Sequence, residues 1–323
     1  MKDTKIQWAD STFNCWRGCS KISAGCTNCY ADAFSSRNPK VLGVWGPNGT
    51  RVIAADAAWK EPLKWDREAK AAGKPHRVFC ASLADVFEGF DTMPTESHDA
   101  VMQARKRLGQ LILDTPNLTW MLLTKRPQNI LPIAADMWVR FSGPSQPLPP
   151  NVWIGASVEN QQAADERIPR LLRVPARVHF LSCEPLLGPV DLTSLNSGDD
   201  PCEECGEVPL INCLHIPNMR CSCCVEGAES LAWHRLDWVI VGGESGPNAR
   251  PMHPKWARSL RDQCEAAGVA YFFKQWGEYA EWDGTQSPSP SCRTSDGKTA
   301  YVRVGKEKAG RVLDGKVWDE VPS

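Results

Sequence analysis

Apolar and polar positions alternate along this chain in two rhythms. Six short runs rich in β-branched and aromatic residues lie at 76–82 (HRVFCAS), 118–124 (LTWMLLT), 152–158 (VWIGASV), 177–183 (RVHFLSC), 237–243 (DWVIVGG) and 269–275 (VAYFFKQ). Near-continuous apolar runs of this length suit strands buried on both faces of a parallel sheet, whereas half-exposed strands alternate. Between them, 95–113 has helical periodicity, 159–173 reads as a polar-faced helix, and 254–267 opens on Pro254 and stops before Gly268. Proline at a helix start and glycine just past its end are the expected punctuation. A short first strand is expected at 5–8. The alternation predicts βα units with right-handed crossovers. The fold class expected is therefore α/β: a (β/α) barrel, or a partial TIM-like barrel, over 1–280. An open doubly wound sheet is the alternative, but no G-x-G-x-x-G follows a strand.

Each run ends in a polar or glycine-bearing tail. Ser82 and Asp85 follow the first, Thr124, Lys125 and Arg126 close the second, and Ser157 and Glu159 the third; Glu184, Glu244, and Lys274 with Trp276 follow the others. In a barrel such ends converge on one mouth, where barrel enzymes place their chemistry. One tail alone reads as a helix cap or a loop charge, but six in corresponding places argue for a shared pocket. Ion pairing of Lys125 or Arg126 with Glu159 or Glu184 across strand ends is the purely structural alternative.

Composition narrows the chemistry. A net charge of −1 over 323 residues argues against a non-specific nucleic-acid or membrane binder. The start, MKDTKIQWAD, lacks a signal-like apolar stretch, and no apolar run reaches bilayer-spanning length, so a cytoplasmic protein with no membrane partner is expected. Fourteen cysteines in a reducing compartment point to metal ligation or thiol chemistry rather than disulfides. Four of them, Cys15, Cys19, Cys26 and Cys29, lie in NCWRGCSKISAGCTNCYAD (14–32). All four could close a structural zinc site, while three, Cys19, Cys26 and Cys29, would leave a metal position open.

A second cluster pairs Cys202 with Cys205 and Cys221 with Cys224, fifteen residues apart. This zinc-ribbon-like spacing, in an insert at 199–229 with little apolar content, predicts one zinc that supplies folding energy. A second iron–sulfur cluster and unligated thiols are the alternatives, with Cys213, His215 and Cys223 as spare ligands. Cys80, Cys183 and Cys264 fall in strand or helix contexts and read as small apolar packing residues. The stretch 284–292 reads as a flexible loop carrying Cys292. The extension 281–323 reads as that loop and short strands turning at Gly305, Gly310 and Gly315.

Several segments together carry a resemblance: TKIQWADSTFNCWRGCSKISAGCTNCYA, SLADVF, LLTKRP, GASVENQ, LSCEPLLGPV, WVIVGGESGPNARPMHP and FFKQWG. They resemble a phage-associated family that is similar to radical S-adenosylmethionine enzymes and, distantly, to spore photoproduct lyase. The resemblance implies a 4Fe–4S cluster held by Cys19, Cys26 and Cys29, with S-adenosylmethionine on its fourth iron and an external electron donor. It gives Cys15 no role. The six-residue interval from Cys19 to Cys26 is longer than the three of the common radical pattern. It further implies cofactor contacts from Tyr30, Ser82, Asp85, Lys125, Ser157 and Glu159. Weaker substrate candidates are Arg126, Glu184, Glu244, Lys274 and Trp276. The lyase-like element suggests a nucleic acid or nucleotide as substrate, on which Trp8, Trp16, Trp45 and Trp276 could stack if they line the entrance. Two other classes compete: a zinc-stabilised, phage-borne binding protein with structural cysteine sites and no catalysis, and a metal-dependent barrel hydrolase. The latter is disfavoured by six scattered histidines.

Overall fold

A computed structural model describes residues 4, 6–138, 148–193, 195–196, 210–211, 235–282, 292–293 and 299–322. Its main sheet has seven strands: β1 (Ser11–Thr12), β2 (His76–Cys80), β3 (Leu118–Thr124), β4 (Val152–Ser157), β5 (Val178–Cys183), β6 (Trp238–Gly242) and β7 (Ala270–Gln275). They lie in chain order across the sheet. The pairs β1–β2, β2–β3, β3–β4, β5–β6 and β6–β7 are parallel. A doubly wound sheet would reverse its order at a switch point, and this one does not. The fold is α/β, and the six apolar runs coincide with β2 to β7 to within two residues, because strands covered on both faces need apolar side chains at nearly every position.

The first strand is a correction: it is Ser11–Thr12, with Trp8 in the turn before it rather than in a strand at 5–8. Trp8 and Trp16 are also buried, at 2% and 0% exposure. Both belong to the core and not to an entrance.

By its internal contacts the chain divides into two units, 1–156 with 170–179, and 157–169 with 180–323. In the first, the register aligns Ser11 with Val78, Val78 with Trp120, and Trp120 with Val152. Trp120 is fully buried, and the Phe13 ring meets it and Trp59 edge-on at 5.7 and 5.2 Å. The helices longer than one turn here include α1 (Tyr30–Ser35), α2 (Asp56–Ala72), α3 (His98–Asp114) and α4 (Ile130–Met137). Helix α3 was legible from its apolar spacing. Helix α2 was not, because Pro62 interrupts its pattern; the helix accepts the proline with its ring buried, losing the bond its missing N–H would have made. Gly109 lets α3 approach α4, since a Cβ there would stand 2.4 Å from the Met137 carbonyl.

In the second unit, Trp238 of β6 faces Phe180 of β5 and Ala270 of β7. Helix α5 (Gln161–Leu172) begins here and ends in the first unit, and α6 (Pro254–Ala267) precedes β7. Helix α6 has the expected ends: Pro254 in its first turn, the Lys255 N–H donated to His253 Nδ1, and Gly268 at φ +67° closing it.

The C-terminal segment contains an antiparallel sheet of 279–281, 300–303 and 292–293, and a hairpin of 312–313 with 316–317 turned by Gly315. Gly305 and Gly310 instead bracket a one-turn helix, Lys306–Ala309. Cys292 pairs with Tyr301 in that sheet rather than sitting in the loop. Within the insert at 199–229 only 210–211 is described, paired with 195–196, so Cys202, Cys205, Cys221 and Cys224 lie outside the described residues.

Candidate functional site

In the first unit the cysteine loop follows the Trp16–Arg17 strand, which pairs with Val52–Ile53. Cys19, Cys26 and Cys29 are partly exposed, whereas Cys15 is fully buried. The Cys15 thiol lies close to that of Cys80, which is buried too, so the odd member of the loop faces the core. Cys29 immediately precedes α1, and the backbone N–H groups of Ala31 and Asp32 face its sulfur. Cys26 lies near Cys29 and has its Sγ 3.8 Å from Ser23 Oγ. Cys19 Sγ is 3.6 Å from an Arg126 Nη1 that donates to it.

Arg126 follows β3 and is only 3% exposed. It donates to Asp85 Oδ2 at 3.1 Å and to the Ser20 carbonyl at 2.8 Å. Asp85 also accepts from Thr124 Oγ1 at 2.8 Å and from the Lys125 backbone N–H at 3.2 Å. Glu88, three residues on and with no exposed surface, accepts both Arg51 Nε and Nη2 at 2.8 Å and the Ser20 N–H at 2.8 Å. Arg105 donates to the carbonyls of Val86 and Glu88. Three arginines and two carboxylates thus hold the start of the cysteine loop against the tails of β2 and β3. Charge pairing of this kind is what makes buried ions tolerable.

The electrostatics follow from burial. Desolvation, reinforced by Glu88 and Asp85, pushes the Cys19 thiol up, against the lowering effect of Arg126. Burial also raises Cys29, which lies within the field of the Lys125 ammonium. Arg126 loses solvation but is held above its ordinary value by Asp85, Cys19 and Glu88.

Tyr30 donates through its hydroxyl to the Ser82 carbonyl, and Asn14 Nδ2 donates to Ser82 Oγ at 3.0 Å. The sequence-expected residues Cys19, Cys26, Cys29, Tyr30, Ser82, Asp85, Lys125 and Arg126 are all held in this unit. Arg51, Glu88, Arg105 and Asn14 were missed. Their only signal was an unpaired-looking carboxylate three residues beyond Asp85. Trp45 is half-buried beside Arg17, Phe34 and Leu83.

The remaining candidates lie in the second unit. Glu159 pairs with Arg167 at 2.9 Å, and Arg167 also donates to the Ser157 carbonyl. Glu244 takes Arg250 through Nη2 at 2.7 Å and Nε at 2.8 Å. Glu184 receives Lys274 Nζ on both oxygens at 2.8 Å and Gln275 Nε2 at 3.0 Å. Each carboxylate at the strand ends thus has its own cation.

Among the described residues no group of three or more His, Cys, Asp or Glu side chains is gathered to hold a metal ion. What fits a metal group is the donor chemistry: three partly exposed cysteines in one loop, two of them near each other. Among the described residues no helix is long and apolar enough to cross a membrane.

Fold and site together define a parallel α/β protein with a thiol-bearing loop anchored by buried arginine–carboxylate pairs. The chain belongs to the family described as "Protein of unknown function (DUF5131)", whose model matches residues 3–322. No curated protein and no solved structure shows significant similarity to it.

Proposed function

We infer that the chain is a radical S-adenosylmethionine enzyme whose 4Fe–4S cluster is ligated by Cys19, Cys26 and Cys29, and which acts on a nucleotide or nucleic acid. The observation that carries this reading is the contact of Arg126, which follows β3, with the Cys19 sulfur, together with Lys125 standing within the field of Cys29. When bound, a 4Fe–4S cluster would supply the one-electron reducing power, drawn from an external donor, for reductive cleavage of the cofactor's sulfonium. The protein's part is binding and orientation. The thiols of Cys19, Cys26 and Cys29 lose their protons to become ligands. Lys125 offers its ammonium to the cofactor carboxylate. Arg126 and Glu88 clamp Ser20 from its carbonyl and N–H sides, which sets where Cys19 emerges. Tyr30 ties the start of α1 to Ser82 at the tail of β2. Closure of a (β/α) barrel around these ends, and one zinc on Cys202, Cys205, Cys221 and Cys224, belong to the same reading.

The test is anaerobic iron, sulfide and zinc analysis of reconstituted protein, followed by an assay for 5′-deoxyadenosine under a strong one-electron donor. Alanine at Cys19, Cys26 or Cys29 should each abolish cleavage. Cys15→Ala should retain it, because Cys15 faces Cys80 in the core. Protein holding zinc but no acid-labile sulfide would overturn the reading in favour of a structural, non-catalytic binding protein.

A further inference from the structure

The strand ends of the second unit carry a polar cluster that is more than an ion pair. Glu184 follows β5, Lys274 and Gln275 close β7, and Ser245 follows β6. Gln275 is 4% exposed, and its Nε2 lies within hydrogen-bonding distance of Glu184, the Gly243 carbonyl and Ser245 Oγ. Its Oε1 is buried without any hydrogen-bond partner. A self-contained ion pair would leave no such acceptor, and native proteins leave few of them unexplained.

The backbone is shaped to hold this cluster. A Cβ on Gly242 would stand 3.1 Å from the Glu184 carboxyl carbon, and one on Gly243 would stand 1.9 Å from the Trp276 carbonyl. Gly277, at φ +86°, has the same relation to the Glu244 carbonyl, at 2.2 Å. Bare backbone at these three positions lets the ends of β6 and β7 close on each other and leaves the carboxylate room above them.

Unused hydrogen-bonding capacity states the ligand's chemistry. Lys274 directs two contacts to Glu184 and keeps a third proton; its side chain is 13% exposed, that of Glu184 19%. Glu184 and Gln275 Oε1 retain lone pairs. The complement is a pair of adjacent N–H donors beside a carbonyl acceptor. Among nucleobases that is the pairing edge of guanine, with N1–H, the 2-amino group and O6. Trp276, half-buried next to Gln275 and held by its indole N–H on the Val312 carbonyl at 2.8 Å, supplies an aromatic face. The Lys306 ammonium stands within the field of both Lys274 and Glu184, adding positive charge for a phosphate.

We propose that Glu184, Lys274 and Gln275 form a recognition site for a guanine base edge, with Glu184 accepting from N1–H and the 2-amino group and Lys274 donating to O6. This names the substrate class within the nucleotide or nucleic-acid reading above and rests on it. The experiment is calorimetric titration of the full chain, without cluster or S-adenosylmethionine, using guanosine, inosine and adenosine 5′-monophosphates and a short single-stranded oligonucleotide with one central dG. Guanosine monophosphate should bind at least about tenfold more tightly than inosine monophosphate, which lacks the 2-amino group, and adenosine monophosphate more weakly still. Glu184→Gln should erase the guanosine–inosine difference, whereas Lys274→Met should weaken both alike. Tighter binding of the oligonucleotide than of the nucleotide assigns the guanine to a nucleic acid; the reverse assigns a free nucleotide. Equal affinity for the three nucleotides, no binding of any probe, or an unaltered Glu184→Gln profile overturns the proposal. Should Glu184→Gln fail to fold, the base series on the unaltered chain and Lys274→Met still decide. Loss of guanine preference with cofactor cleavage intact would sink this site alone, and the converse would sink the radical reading alone.

Discussion

Glu88 has no exposed side-chain surface, and its carboxylate is matched atom for atom by Arg51, also fully enclosed. Breaking a buried pair from one side leaves an uncompensated charge, at a cost of about 3–5 kcal/mol. Arg51→Met should therefore lower unfolding stability by that amount in urea titration. Arg107→Met, which removes an exposed partner of Asp56, should stay within about 0.5 kcal/mol. Equal effects would mean that the Glu88 pair is solvated. At this scale legibility was uneven. Asp85 announced itself by following an apolar run beside Ser82, but Arg51 reaches Glu88 from 37 residues away, and no local pattern encodes that meeting. Cys15 shows the same limit: its spacing placed it with the loop, while its burial against Cys80 is a tertiary fact.

Among the elements, glycine separates two kinds of constraint. Gly268 ends α6 with a positive φ and open space around it, so Gly268→Ala should cost only the conformational penalty, about 1 kcal/mol. Gly243 is pressed against the Trp276 backbone, and a methyl there must push two strand ends apart. Gly243→Ala should cost about 3 kcal/mol, and urea midpoints measured side by side test the order. If the two variants matched, the close approach of β6 and β7 would be wrong. The long strands and α3, α5 and α6 were readable because burial on both faces, or on one stripe, repeats over many residues. The two-residue strands and the six-residue α1 are too short for any period to show.

The whole molecule should be alkali-sensitive. Burial, with Glu320 and Glu265, pushes the Cys264 thiol up to about 12 from an ordinary value of 9. Tyr271, Cys19, Cys29 and Cys80 are raised in the same sense, burial being the largest cause in each. In the unfolded chain the Cys264 thiol ionises near 9, while the folded chain keeps its proton until about 12. Its contribution to stability is thus whole below 9, declines as pH rises, and is gone above the folded value. Melting temperatures at about pH 8 and about pH 10.5 should fall steeply for the unaltered chain and less steeply for Cys264→Ala. Parallel declines would remove Cys264 from the cause. The division into two units was not legible, because its boundaries fall inside β4, α5 and β5, where no linker composition marks them.

The order of the main sheet bears on how the chain is made. Each strand lies beside its predecessor in sequence, so a strand leaving the ribosome finds its pairing edge already laid down. Synthesis at about 5–20 residues per second would then add strands in step. Once β2 is laid down, the longest interval between strands falls between Cys183 and Trp238, about 55 residues, or roughly 3–11 s of translation. Throughout it the edge of β5 waits unpaired, a hydrophobic edge of the kind that invites strand addition from other chains. A nascent chain stalled in that interval is the form in which this protein most needs a chaperone.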